Sequence, residues 1–197
     1  LSALLQRPEP VDIARRGAVM AFHAFCDQFA DQLFEQLPSL WYSIHESLVH
    51  SDLDHSSEGN LSNRTDAMIL VRTIVAKVPK SLREKIASLL PAIVSCCSHP
   101  DSALRQSAAL CLADVVSSIP GRGMHEVVYH MIPMLSESSG TSDSDRLARR
   151  GAANALRAVV NRLGHILIPY AAFLIVPIMM RMVDDDDEVR DAAAGIF

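Results

Sequence analysis

The sequence predicts an all-α fold, a right-handed α-solenoid of stacked helix pairs, and three observations predict it. The first is composition. Of 197 residues, 49% are hydrophobic but only 5% aromatic, and 8 are glycine. Ala, Leu, Val, Ile and Met carry the apolar surface, a mix that favours helices packed on helices. The second is a repeat. Five segments align without gaps: Ala14–Ala18, Asn63–Ala67, Leu104–Ala108, Ala148–Ala152 and Val189–Ala193. Each has Arg followed three residues later by Ala: Arg15 and Ala18, Arg64 and Ala67, Arg105 and Ala108, Arg149 and Ala152, Arg190 and Ala193. The steps between the arginines are 49, 41, 44 and 41 residues. HEAT and armadillo arrays repeat every ~40–47 residues, so the pairs are of HEAT type. The third is a proline between these segments: Pro38, Pro91, Pro133 and Pro177, each flanked by apolar residues inside a helical pattern. A proline there removes a backbone hydrogen bond and bends the helix.

The elements follow in order as one array over 1–197. A leading second helix is expected at 11–30, then pairs at 33–79, 81–119, 123–164 and 165–197, the last cut short. The first helices fall near 33–49, 81–98, 123–136 and 165–183. Downstream of four of the arginines, apolar residues recur at helical spacing, as in Val115, Val116 and Ile119. The small residue three after each Arg lets neighbouring helices approach. Asp101, Asp145 and Asp186 each stand four before their Arg, at an expected N-cap. Pro79, Pro120 and Gly164 stand fifteen after, as helix stops. A single pair cannot bury its apolar face alone, so stacking makes the core. Polar stretches at 51–62 and 137–144 read as mobile surface loops. Because the chain begins and ends in mid-pattern, it reads as a piece of something larger.

Little points to chemistry. A net charge of −5 argues against a nucleic-acid clamp, since affinity for phosphates needs excess Lys and Arg. The four cysteines, Cys26, Cys96, Cys97 and Cys111, lack Cys-x-x-Cys spacing and read as reduced buried thiols. The histidines form no metal-protease pattern, and neither a phosphate-binding loop nor a nucleophile elbow is present. No catalytic, cofactor or metal residue is expected, nor a small-molecule substrate. Ile166–Val183 is the most apolar tract. With Pro169, Pro177 and Arg181 in it, it reads as a buried solenoid helix rather than a membrane span. The run Asp184–Glu188 reads as a helix start, where negative charge is favourable. The repeated arginines read as a structural ladder to an acidic or backbone group of the neighbouring repeat. Trp41, Arg16, Arg150, Asp184 and Asp185 are the candidates for contact with a protein partner.

Three stretches carry a more specific resemblance: Arg15-Arg16-Gly17-Ala18 with Leu37-Pro38-Ser39-Leu40-Trp41; Leu90-Pro91 with Pro100, Ala103, Arg105 and Ala108-Ala109; and Pro169-Tyr170, Leu174, Val176-Pro177, Arg181-Met182, Asp184 and Val189-Arg190. These resemble the HEAT region, in its C-terminal part before the ATPase, of the TATA-binding-protein-associated helicase-like remodelling ATPases. The resemblance implies a nuclear transcription regulator that removes TATA-binding protein from DNA using ATP. TATA-binding protein and the ATPase module of the same chain would be the partners, and DNA an indirect one. ATP and Mg would belong to the full-length protein and not to this segment. The segment would be a non-catalytic scaffold joining the grip on TATA-binding protein to the motor. The alternative is a general HEAT adaptor, of transport or phosphatase-scaffold kind, that binds peptides or protein partners. A DNA-binding solenoid is the weakest reading.

Overall fold

The computed structural model describes residues 12–50, 58–136, 140 and 142–197, with the side chains of 12–16, 50 and 58 left aside. It is all α, with no strand among the described residues, an α-solenoid of helix pairs. The chain divides into two compact units, Leu1–Leu89 and Leu90–Phe197.

In the first unit, α1 (Asp12–Phe29) leads to a short 3-10 turn and α2 (Leu33–Gln36). Next come α3 (Pro38–His45) with a π-helical turn at Glu46–His50, α4 (Glu58–Lys77) and α5 (Lys80–Ala87). Both α1 and α3 pack on α4. Phe22 and Cys26 of α1, Leu40 and Ile44 of α3, and Met68, Val71, Ile74 and Val75 of α4 are buried there. Lys77 of α4 pairs with Asp27 of α1 at 2.6 Å, and Thr73 Oγ1 lies 3.3 Å from His23 Nε2. Helix α4 starts at Glu58, so 58–62 is helix and not the loop expected over 51–62; the rest of that loop, 51–57, lies outside the described residues.

In the second unit, the helices are α6 (Leu90–Cys96), α7 (Ser102–Ser118) and α8 (Pro120–Glu126), then α9 (Ile132–Ser136) and α10 (Asp143–Leu163). They end with α11 (Ala171–Arg181) and α12 (Asp187–Ala194). A π-helical turn joins α8 to α9 and a 3-10 segment, Gly164–Tyr170, joins α10 to α11. Successive second helices stack directly, α7 on α10 and α10 on α12, and α9 packs on α11. Small buried residues line these contacts: Ala108, Ala109, Ala152, Ala153, Ala155, Ala192 and Ala193. The closest approach is at Gly151 of α10, where an added Cβ would lie 1.9 Å from the Cys97 carbonyl oxygen.

Three further expectations change. The sequence pattern places the prolines as bends inside continuous first helices. Only Pro177 sits well inside one; Pro38 is the first residue of α3, and Pro91 and Pro133 are second in α6 and α9. Proline suits the first turn because its missing N–H has no partner there anyway. Asp145 is not an N-cap. Ser142 caps α10 by accepting from the Asp145 amide, and Asp145 takes the Ser142 hydroxyl in return at 2.6 Å. Asp143 and Ser144 therefore belong to α10, and of the loop expected at 137–144 only Ser142 and Gly140 are otherwise described. Finally, Ile166–Val183 buries only Leu167, Leu174 and Ile178. Phe173, Val176 and Met180, on the opposite side of α11, are 58–61% exposed, and Val183, beyond its end, is 82% exposed.

Candidate interaction surface

The repeated arginines are where the sequence placed its signature, and the geometry gives them a common task. Arg105 on α7 donates to the carbonyls of His99 (3.0 Å) and Pro100 (2.8 Å). Arg149 on α10 donates to Gly140 O at 2.9 Å, and Arg190 on α12 to Asp184 O at 2.6 Å. Each guanidinium reaches back to the turn that precedes its own helix. Those turns carry carbonyls that helix geometry leaves unpaired. The expected ladder to the neighbouring repeat is thus, at its backbone contacts, a clamp within each pair. Arg105 and Arg149 are buried, as is Arg64 in the first unit. The small partners Ala18, Ala67, Ala108, Ala152 and Ala193 are all buried too. Arg15 and Arg16 lie outside the described side chains.

The links between neighbouring pairs gather at Asp184–Glu188. Asp184 is buried, accepts a hydrogen bond from Arg181 Nη1 at 3.0 Å and forms an ion pair with Arg149 Nε, also at 3.0 Å. Arg181 also caps the preceding first helix, donating to Leu135 O at 2.7 Å and Ser136 O at 3.0 Å. Asp186 caps α12 by accepting from the Val189 amide and is gripped by Arg150 through Nε and Nη2, the latter at 2.7 Å. This bidentate bond holds the Asp186 carboxyl below the usual carboxylate range, against the opposing push of burial, and raises the Arg150 guanidinium. Glu188 takes Asn154 Nδ2 at 2.9 Å and lies 3.7 Å from Arg105 Nη2, touching both preceding second helices.

The candidates for partner contact therefore divide. Asp184 is buried among arginines and turned inward, which corrects its reading as a contact residue, and Arg150 is held by Asp186. Asp185 is exposed. Trp41 packs edge-on against Phe34 at 5.4 Å, and Lys85 Nζ lies 4.6 Å over its ring, so it joins α2, α3 and α5. The sequence reading missed Arg181 as a link. Its signal was present: a lone arginine in an apolar tract needs acceptors nearby.

Two profiles match the chain: a HEAT repeat over residues 89–119, and a domain of unknown function, DUF3535, over residues 5–43. The first falls on α6 and α7. Among curated proteins, the chain is 31% identical over 193 residues to the TATA-binding protein-associated factor BTAF1 of Arabidopsis thaliana, covering 94% of this chain and 9% of that protein. It is 30% identical to the TATA-binding protein-associated factor mot1 of Schizosaccharomyces pombe, over 94% of this chain and 10% of the relative. It is 26% identical to the human TATA-binding protein-associated factor 172, over 100% of this chain and 11% of the relative.

This segment belongs to the HEAT-repeat region of the TATA-binding-protein-associated factors.

It spans about a tenth of the length of the curated relatives it matches. Within such a HEAT segment, the arginine network is internal reinforcement. The surfaces open to a partner are those that the network leaves free.

Proposed function

We propose that this segment is a non-catalytic scaffold within a nuclear transcription regulator that removes TATA-binding protein from DNA using ATP. In this reading residues 1–197 form one continuous HEAT array that belongs to the C-terminal part of the family's HEAT region, before the ATPase. It joins the grip on TATA-binding protein to the ATPase module of the same chain and holds the motor in a fixed orientation. DNA is contacted indirectly, and ATP and Mg belong to the motor.

The observation that carries the reading is the buried Arg149–Asp184–Arg181 bridge. It ties α10 to the turn before α12, and through Arg181 to the end of α9. A segment that transmits strain needs cross-links between neighbouring pairs that do not slide, and buried charge pairs are strongly destabilised when one partner leaves. The membership of the family supplies the biological setting.

The test is a flexible Gly/Ser insertion after Gly140 in the full-length protein, where the turn carbonyl anchors Arg149. Binding of TATA-binding protein and ATP hydrolysis should persist while ATP-driven removal from DNA is lost. Removal at the normal rate would overturn the coupling role.

A further inference from the structure

The stacked second helices leave a groove of about 910 Å³ that crosses α7, α10 and α12. Its wall on α7 carries Gln106 and Leu110, the latter 40% exposed. Asn161 lines it from α10 and Asp191 from α12. Gln106, Asn161 and Asp191 are exposed, and among the described residues nothing bonds to their side chains. The two cations of the lining are already engaged: Arg105 with the turn carbonyls, and Arg157 with Asn154 Oδ1 at 3.1 Å.

We propose that this groove binds an extended polypeptide segment, with Gln106 and Asn161 bonding its backbone and Asp191 pairing with a Lys or Arg side chain. An extended chain presents N–H and C=O groups that need partners. A primary amide offers a donor and an acceptor together, so Gln106 and Asn161 each match one peptide unit. A helical ligand has its backbone bonds satisfied internally and reads an apolar groove, and Leu110 is the one large apolar side chain in this lining. Packed helices lie ~8–10 Å apart. Crossing from α7 to α12 spans two such intervals, which about five or six extended residues bridge at ~3.3 Å each. Nucleic acid fits poorly, because the charges of the lining, Arg105 and Arg157 against Glu188 and Asp191, balance and leave no excess of cations to neutralise phosphates. This inference does not rest on the scaffold reading.

The test uses blocked octapeptides of a Thr/Ser/Val background in which a single Lys, or a single Glu, is moved through the sequence. Binding to the 197-residue chain is followed by fluorescence anisotropy. A helical Ala-rich peptide with the same Lys and a short DNA duplex are run alongside. Some Lys octapeptides should bind with Kd well below ~1 mM, and the Glu set, the helical peptide and the duplex should not. The Gln106→Ala/Asn161→Ala double variant should weaken every binder by about tenfold or more, the loss of net hydrogen bonds. Asp191→Asn should reduce the Lys peptides to the level of an unsubstituted background. All three positions are exposed, so an unchanged thermal midpoint shows that the fold is intact. No octapeptide binding, binding indifferent to the double variant, or preference for the helical peptide or the duplex would each overturn the proposal.

Discussion

Two neighbouring aspartates behave oppositely because their surroundings differ. Asp184 is buried with two guanidinium groups on it, whereas Asp185 faces solvent. Replacing Asp184 with Ala leaves Arg149 and Arg181 uncompensated in a buried setting, and should cost about 3–5 kcal/mol in urea unfolding of the second unit. Asp185→Ala should stay within about 0.5 kcal/mol. A similar value for both would mean that the Asp184 bridge does not hold. Asp186 supplies a pH prediction. Its carboxyl is held low in the fold by Arg150, so the unfolded chain binds its proton first as pH falls. Its contribution is complete above the ordinary carboxylate value, ~3.9, and fades as pH drops through the lower folded value. Asp186→Asn keeps a good cap but removes the charge pair, so its stability should fall less steeply below about pH 4 than that of the parent chain. The aspartates show what is legible at this scale. Sequence spacing found the Asp101 and Asp186 caps but misassigned Asp145, since a serine three residues upstream competes for the same role and only backbone geometry decides between them.

Among the elements, the repeat register was readable because HEAT packing imposes it: an arginine clamps the turn and an alanine meets the next helix. Helix ends were less readable. Pro38, Pro91 and Pro133 open segments instead of bending them, because a proline near a break satisfies the same pattern as one inside a helix. Nor could periodicity reveal that the apolar tract 166–183 is mostly exposed, since every face of α11 carries large apolar residues. The end of α10 yields a prediction. Gly164 caps it with φ 52° and ψ −122°, the one positive φ among the described residues. Nothing crowds its Cβ position, so Gly164→Ala tests backbone strain alone and should cost about 1–2 kcal/mol. Gly151→Ala tests the opposite case, a relaxed backbone with no room. An added methyl meets the Cys97 carbonyl, and the expected loss is about 3 kcal/mol or more, beyond ordinary overpacking. A neutral Gly151→Ala would mean that α10 lies further from α6 than the structure places it.

For the molecule as a whole, the thiols report on each unit separately. Cys26 lies in the first unit, and Cys96, Cys97 and Cys111 in the second; all four are buried. Burial pushes the Cys26 thiol up to about 11, with Asp27 adding to the rise and Lys77 opposing it, and pushes Cys97 higher still. None should react with a neutral-pH thiol reagent until its unit opens. In a quasi-one-dimensional array, units need not open together, so labelling of Cys26 and of the other three should show separate denaturant midpoints. Simultaneous labelling would indicate a single cooperative body. The arginine clamps also have an order in time. The acceptors of Arg105, His99 and Pro100, and that of Arg149, Gly140, precede them in the chain and leave the ribosome first. Asp184 follows Arg149 by 35 residues, which at ~5–20 residues per second is a wait of about 2–7 s. During translation each new pair can therefore close its own turn as soon as it emerges, while the bond that fixes it to its successor is completed only when that successor arrives.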